Sequence, residues 1–296
     1  MKITFLGTTC TQPTPSRNHS GILVEIGGDA ILLDCGEGIQ RQLRIAKKRI
    51  TKIKHICVSH WHGDHCLGLP GLLSSMASDN VPHKVRLYGP EKSKEFIGFM
   101  MQGFYSHGVC EFEVSEHKTS KLYTSSQYNI ASHELVHSVP SIGFKIIVHK
   151  QRKIIKDLLE AKGIPTTLWG RLQQGEIVEF NDKVLHPEQY TTQDKPLILC
   201  YIADTINGDH LLDFCQDADI IISESTFLHM HADKAKEVFH MTARQAAEVA
   251  KQVGAKRLIL THPSLRYKTS DDLLAEAKQI FPATMFAEDF TEVNIE

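Results

Sequence analysis

The hexapeptide HWHGDH at residues 60–65 constrains the fold of this chain more than any other stretch of its sequence. Its three imidazoles and one carboxylate cannot all point to one face of a regular helix or strand. A tight loop at Gly63 can instead direct His60 and His62 towards one metal ion. Asp64 and His65 can then face a neighbouring ion. Imidazole and carboxylate ligands suit Zn²⁺ and, with less discrimination, Mn²⁺ or Fe²⁺, so the motif predicts a metal site.

Further ligands are expected where other strands end beside this loop. His137 follows a predicted strand at residues 128–136, Asp204 follows one at 197–202, and His262 follows one at 257–261. Taken singly, each is typical of a turn or cap residue. Together with the hexapeptide they supply five histidines and two aspartates, a plausible set for two cations. Asp204 can bridge the two ions because a carboxylate has two oxygens.

Composition and charge narrow the class of protein. The chain has 296 residues, 42% hydrophobic and 23% charged, which excludes disorder or coiled coil as the main architecture. A formal net charge of −2 excludes nucleic-acid binding by bulk positive charge but leaves local basic segments open. Seven cysteines without a C-x-x-C pair indicate reduced thiols and a cytoplasmic setting. No apolar run approaches the roughly 20 residues that a membrane span needs.

Strand and helix patterns alternate along the chain. Strands are predicted at residues 2–6, 21–26, 30–33, 54–58, 85–88, 112–114, 128–136, 144–148, 197–202, 219–222 and 257–261. Helices are predicted at residues 39–50, 67–77, 90–101, 154–161, 242–253 and 271–280, with a further short helix after Pro165. Two β-rich halves, each followed by helices, indicate a layered α/β sandwich. A more polar insert, residues 150–194, interrupts the second half.

These residues resemble the metallo-β-lactamase superfamily and, within it, the ribonuclease Z family. The hexapeptide alone identifies only the superfamily. The narrower resemblance rests on the insert and on stretches spread over nearly the whole chain: FLGT at 5–8, PTPSRN at 13–18, DCGEG at 34–38, GLPGLL at 68–73, YGP at 88–90, DT at 204–205, THPSLRY at 261–267 and FPAT at 281–284. Three departures from the family pattern are present: Thr166-Thr167 replaces a Gly-Pro pair in the insert, Pro15 replaces a basic residue, and Ser223 replaces a residue that is commonly His.

The resemblance implies a four-layer αβ/βα sandwich, the metallo-β-lactamase fold, as one domain over residues 1–296. It implies that residues 150–194 form a protruding arm that binds tRNA, and that the chain is a homodimer. Two zinc ions per subunit are implied, with Mn²⁺ or Fe²⁺ as substitutes. The implied ligands are His60, His62 and His137 for one ion, Asp64, His65 and His262 for the other, and Asp204 between them.

The activity implied is that of a zinc-dependent endoribonuclease. It would cleave the 3′ trailer from precursor tRNA and leave a tRNA 3′-OH, by attack of a metal-bridging hydroxide on the phosphodiester. Asp64 matches the family's general base, and Glu224 and His240 match a pair that protonates the leaving oxygen. The alternative is another phosphodiesterase of the superfamily, acting on cyclic nucleotides or small diesters. A metal-bound RNA-binding module without catalysis is disfavoured, because the ligand set is complete.

Contacts to RNA are expected from local features. Residues 41–54 and 145–156 are basic runs that contain no acidic residue. The second run opens the insert and supplies three predicted RNA contacts: Lys150, Arg152 and Lys153. The resemblance implies that Arg17 and Asn18, in the loop at 13–18, lie near the tRNA acceptor end. Asp34 and Glu37, which follow a strand, are candidates to orient metal-bound imidazoles from behind.

Overall fold

The computed structural model describes residues 1–105 and 108–295, which form two seven-stranded sheets with helices. The first half contains β1 Lys2–Gly7, β2 Gly21–Ile26, β3 Asp29–Leu33, α1 Ile39–Ile45, β4 Ile53–Cys57, α2 Gly63–Cys66, α3 Leu69–Ser78, β5 Val85–Gly89, α4 Ser93–Gln102 and β6 Phe112–Glu116. Next come β7 Ser120–Thr124, β8 Tyr128–Leu135 and β9 Ser141–Val148. The insert contains β10 Lys153–Ile154, α5 Lys156–Ala161, α6 Thr166–Gln173, β11 Val178–Phe180, β12 Lys183–Leu185, α7 Pro187–Tyr190 and β13 Thr191–Thr192. The remainder contains β14 Leu197–Ile202, α8 His210–Cys215, β15 Ile220–Glu224, α9 Ala232–Glu237, α10 Ala243–Gln252, β16 Arg257–Thr261, α11 Asp271–Ile280, β17 Thr284–Phe286 and β18 Glu292–Asn294.

The two sheets share one layout. The first has the order β18-β1-β2-β3-β4-β5-β6 and the second the order β17-β16-β15-β14-β9-β8-β7. In the first sheet β1, β2 and β3 pair antiparallel, and the strands from β3 to β6 pair parallel. In the second, β7, β8, β9 and β14 pair antiparallel, and the strands from β14 to β17 pair parallel. The two β-rich halves expected from the sequence therefore each form most of one mixed sheet, and β18 from the second half completes the first sheet beside β1.

The alternation of side chains in β3 shows how the layers form. Ile31 and Leu33 are fully buried in the core between the sheets, whereas Leu32 points into a second core. Leu43 of α1 and Leu72 of α3 lie in that second core, so helices cover the outer face of the first sheet. Helices α10 and α11 bury side chains against the second sheet. The predicted αβ/βα sandwich is confirmed. Each fully buried aliphatic side chain contributes about 1.5–3 kcal/mol to the stability of the fold.

The insert between β9 and β14 has a small core of its own. Five buried side chains form it: Leu159, Ile164, Leu172, Val178 and Leu185. Its helices and strands pack chiefly against one another, including the short antiparallel pairs β10–β13 and β11–β12. That this segment is an arm that binds tRNA stays a prediction.

Several sequence expectations need correction. The helix predicted at residues 39–50 ends at Ile45, because Lys47 adopts a left-handed φ of 55°. The loop expected around Gly63 is one helical turn, α2. Helix α10 begins with a capping box: Thr242 Oγ1 accepts from the Gln245 backbone N–H, and the Gln245 side-chain oxygen accepts from the Thr242 backbone N–H. Strands β7, β10–β13, β17 and β18 and helices α7, α8 and α9 were not predicted, and most are too short to show a period.

Among the residues described, no helix combines the length and the apolar character needed to cross a membrane. All seven cysteines fall within the described ranges, are buried and form no disulfide.

Candidate metal centre

The topology brings the predicted ligands to one edge of the sandwich. Strands β8 and β14 run in the same direction because each is antiparallel to β9, and β16 runs parallel to β14 through β15. Their carboxyl ends therefore meet, and these ends carry His137, Asp204 and His262. The backbone N–H of Ile142 donates to the carbonyl of Ser59 at 2.9 Å, which joins this edge to the end of β4.

The first group of ligand atoms belongs to His60, His62, His137 and Asp204, and these atoms lie within 4.8 Å of one another. His62 Nδ1 lies 3.0 Å from His60 Nε2 and 3.2 Å from His137 Nε2. His137 Nδ1 donates to the carbonyl of Phe239 at 2.9 Å, so a neutral His137 keeps its lone pair on Nε2. Lone pairs that converge in this way fit a shared cation.

The second group comprises Asp64, His65 and His262, again with ligand atoms within 4.8 Å. His65 Nε2 lies 3.2 Å from His262 Nε2, and both nitrogens lie 3.6 Å from Asp64 Oδ2. Asp64 sits in the first turn of α2, directly before His65. The helical turn therefore points both side chains to the same point, the task that the sequence assigned to a loop.

Asp204 lies between the two groups. Its Oδ2 is 3.6 Å from His60 Nε2 and 3.6 Å from His65 Nε2, so one oxygen faces both groups. Its Oδ1 is buried and has no hydrogen-bond partner among the described residues. A buried carboxylate oxygen without a donor costs free energy, and a divalent cation would satisfy it. The donor set thus fits divalent cations, and all seven predicted ligands meet at this edge.

A fully buried carboxylate, Asp34, holds this arrangement from behind. Its Oδ2 accepts from His65 Nδ1 at 2.8 Å, from the Tyr201 hydroxyl at 2.6 Å and from Ser59 Oγ at 2.9 Å. Its Oδ1 accepts from the Ser59 backbone at 2.7 Å. Asp34 therefore fixes the His65 ring with Nε2 facing the centre. The same expectation for Glu37 is wrong, because its side chain is exposed and only its carbonyl is engaged, by Asn18.

Glu224 and His240 form a pair beside the centre. Glu224 Oε1 accepts from His240 Nδ1 at 3.0 Å and from the Thr205 backbone at 3.0 Å. His240 Nε2 then faces Asp204 Oδ2 at 4.0 Å. A residue that sequence reasoning missed, Thr226, donates to Glu224 Oε2 at 2.6 Å and lies 3.2 Å from His262 Nδ1. Its place two residues after Glu224 was the only available signal.

The local electrostatics differ among the histidines of the centre. Burial lowers the pKa of His60 and of His137, which favours the neutral imidazoles that bind cations. Burial also acts to lower the pKa of His240, but the Glu224 and Asp204 carboxylates outweigh it and raise that pKa to about 9. His65 behaves in the same way as His240: burial acts to lower its pKa, but the Asp204, Asp34 and Asp64 carboxylates outweigh it and raise the pKa to about 10.

The two predicted RNA contacts at the loop 13–18 are engaged within the protein. The Arg17 guanidinium donates to Thr8 Oγ1 at 2.7 Å, to the Ala287 carbonyl at 2.9 Å and to Glu288 at 2.9 Å. The Asn18 side chain donates to the Glu37 carbonyl at 2.7 Å. Both residues therefore anchor the loop beside the centre, and their contact with RNA stays a prediction.

The three predicted RNA contacts of the insert lie at its base. Arg152 pairs with Glu188 at 3.3 Å, and Lys153 pairs with Asp194 at 2.8 Å while its side chain stays 69% exposed. Lys150 lines a groove of about 640 Å³ together with Lys195 and Lys256. The structure does not bring these residues to the metal centre.

Comparisons with known proteins place these features in context. The family model described as Anti-Pycsar protein Apyc1 matches residues 1–155. Ribonuclease Z of Methanothermobacter thermautotrophicus is 35% identical over 100% of this chain and 97% of its own length. Ribonuclease Z of Chlamydia muridarum is 34% identical over 97% of this chain and 95% of its own.

Solved structures agree on the fold. Human tRNase Z, short form, is 27% identical with a TM-score of 0.73, and 100% of both chains is covered. The metallo-beta-lactamase fold protein YhfI of Bacillus subtilis is 20% identical with a TM-score of 0.71, over 99% of this chain and 98% of its own. The second likeness bears on the fold alone, which is the metallo-β-lactamase fold that the resemblance implied.

Replacing Asp34 tests the support of the centre. The substitution Asp34→Asn keeps the size of the side chain, but its amide nitrogen cannot accept from Tyr201 or Ser59. We expect the affinity for divalent metal to fall about 10–100-fold, as is usual when a ligand's outer partner is lost. Competition with a chromophoric chelator measures the affinity. Glu37→Gln is the matched control and should bind metal as the parent does; equal losses in both variants would contradict the role of Asp34.

Proposed function

The chain belongs to the ribonuclease Z family and, through residues 1–155, to the family described as Anti-Pycsar protein Apyc1, and we propose that it removes the 3′ trailer from precursor tRNA. It is a metal-dependent endoribonuclease that hydrolyses one phosphodiester bond and leaves a 3′-OH on the tRNA. One observation carries the proposal beyond the sequence likeness. Ligands from both halves of the chain converge at one edge of the sandwich, with a Glu–His pair directly beside them.

The proposed cofactor is a pair of divalent cations, with zinc favoured by five imidazole ligands and Mn²⁺ or Fe²⁺ as substitutes. The ligands would be His60, His62 and His137 for one ion, Asp64, His65 and His262 for the other, and Asp204 for both. When bound, such cations activate water at neutral pH and offset charge on the phosphoryl oxygens.

Asp64 is proposed as the general base. Burial alone would raise the pKa of this carboxyl, but the neighbouring His262 and His65 outweigh it and hold the pKa below its usual range. The carboxylate is therefore ionised and able to accept a proton from the attacking water. Its Oδ2 also accepts from the Thr11 backbone N–H at 2.7 Å, which fixes its orientation.

His240 is proposed to protonate the leaving 3′-oxygen. Its Nδ1 donates to the buried Glu224, so Nε2 is the nitrogen that faces the centre. The Glu224 carboxylate is itself held by Thr205 and Thr226, and it stabilises a positive charge on the imidazole. A proton at His240 Nε2 would thus be placed beside the scissile bond.

Two depressions support cleavage within a chain. One, of about 630 Å³, is lined by residues that surround His137, including His133 and His210. The other, of about 190 Å³, is lined by Arg17 and by the segment that follows His262. They adjoin opposite ligand groups, as an endonuclease needs because RNA continues on both sides of the scissile bond. We assign them to the tRNA end and the trailer without fixing which takes which.

A homodimer is proposed on the basis of exposed apolar side chains around the end of α4. Phe96 and Phe99 share one face of the helix, and Phe104 and Tyr105 follow it, with exposures from 37% to 107%. Neighbouring exposed aromatic side chains are typical of an association surface. Sedimentation velocity at micromolar concentration measures the state directly.

A substrate comparison tests the function. The purified chain should cut a precursor tRNA with a 3′ trailer and leave a 3′-OH, whereas 2′,3′- and 3′,5′-cyclic nucleotides should be turned over far more slowly. Asp64→Ala should lower the rate of tRNA cleavage by about 10²–10⁴-fold or more, because it removes both a ligand and the base. Glu91→Ala, which removes an exposed carboxylate, is the control. Turnover of cyclic nucleotides alone would reject the proposal.

Removing the insert tests its role in binding tRNA. Val148 and Leu197 are directly paired in β9 and β14, so a short Gly-Ser turn can replace residues 151–194. The shortened chain should still hydrolyse a small diester such as bis(p-nitrophenyl) phosphate. Its KM for precursor tRNA should rise at least about tenfold, and its dependence on salt should become shallower because phosphate contacts are lost. Equal loss of both activities would mean that the insert belongs to the core.

A further inference from the structure

Thr11 has an unusual backbone conformation. Its φ is 51°, and it is the one β-branched residue with positive φ in the described part of the chain. This left-handed region is a genuine outlier for a β-branched side chain. Such a conformation persists only where the surroundings hold it, and it is concentrated at functional sites. Thr11 lies in the loop between β1 and β2, beside Asp64.

Two hydrogen bonds hold Thr11, one on each side of its own Cα. Its N–H donates to Asp64 Oδ2 at 2.7 Å, and its carbonyl accepts from His19 Nε2 at 3.3 Å. A carbonyl can only accept, so His19 carries a proton on Nε2. The other ring nitrogen, His19 Nδ1, is buried and has no partner among the described residues, as expected for the bare nitrogen of that tautomer.

The His19 ring has little freedom to move away. The residue is 5% exposed, and the backbone of Gly36 packs so closely against its Cβ and the Asp64 carbonyl that a side chain at Gly36 would not fit. The preceding carbonyl, of Asn18, accepts from the N–H groups of Thr8 and Thr9 at 2.9 and 3.1 Å. The His19 side chain is therefore held in place, and its hydrogen bond to the Thr11 carbonyl fixes the loop that contains Thr11.

We propose that His19 is a positioning residue for the metal centre: it holds the Thr11 peptide, and the Thr11 N–H in turn holds the Asp64 carboxylate. His19 belongs to none of the ligand groups formed by the described residues, so it acts through Thr11. The inference rests on the proposed role of Asp64 as ligand and base. The strained conformation of Thr11 then has a purpose, because it directs the Thr11 N–H to the Asp64 carboxylate.

Two amide substitutions of His19 distinguish the contribution of its Nε2–H donor from that of the size of its ring. In His19→Gln the amide nitrogen can reach the place of His19 Nε2, whereas in His19→Asn it is too short. We expect His19→Asn to weaken zinc binding by the metal-free protein about tenfold. The kcat for precursor tRNA should also fall about tenfold, with KM within twofold of the parent. His19→Gln should recover most of both losses, and equal effects of the two variants would overturn the proposal.

The metal measurement needs no RNA, so it distinguishes this inference from the proposed function. If His19→Asn bound zinc as tightly as the parent protein does, the role of His19 would be overturned, even if tRNA were the right substrate. If His19→Asn lost zinc affinity and His19→Gln recovered it, the role of His19 would be supported, even if tRNA were not the substrate. Should His19→Asn fail to fold, nitrogen NMR of the parent protein decides. The proton of His19 should be found on Nε2, and a proton found on Nδ1 alone would contradict the geometry.

Discussion

The buried carboxylate of Asp34 is the interaction on which the rest of the centre depends. It follows β3 of the first sheet, receives two hydrogen bonds from Ser59 after β4, and receives one from Tyr201 of β14 in the second sheet. One side chain therefore ties both sheets together at the edge where the ligands converge. A buried charge is tolerated only when it is well paired, and removal of its partners commonly costs about 3–5 kcal/mol. The same carboxylate orients His65, so stability and ligand geometry share one contact.

From this contact outward, the centre is built by fixed ring orientations. Asp34, the Phe239 carbonyl and Thr226 each contact the Nδ1 atom of a different ligand histidine. In each case Nε2 is left to face the centre. The supporting groups lie after β3, after β15 and after α9, so the centre exists only when both halves of the chain have folded. A net charge of −2 is compatible with an RNA substrate because cations at this edge and a few local lysines and arginines would face the phosphates.

Much of the ligand set could be predicted because it depends on local pattern. Buried strands are recognisable by their apolar runs, and a polar residue shortly after such a strand marks the edge of the sheet. This pattern identified His137, Asp204 and His262 as ligands. Which of the candidate residues make supporting contacts could not be predicted, because these contacts join segments distant in sequence. Nothing local distinguishes Asp34 from Glu37, or reveals that Arg17 is engaged with Glu288 across the molecule. His19 and Thr11 also escaped notice, since backbone strain leaves no mark on a sequence.

We propose that one edge of this sandwich holds two adjacent divalent cations among seven side chains. Crystals grown with zinc, measured on both sides of the zinc absorption edge, test it most directly. The anomalous map should show two peaks per subunit. One should lie among His60, His62 and His137, the other among Asp64, His65 and His262, with Asp204 between them. Fully occupied zinc at a single position, or at positions away from these residues, would contradict the account.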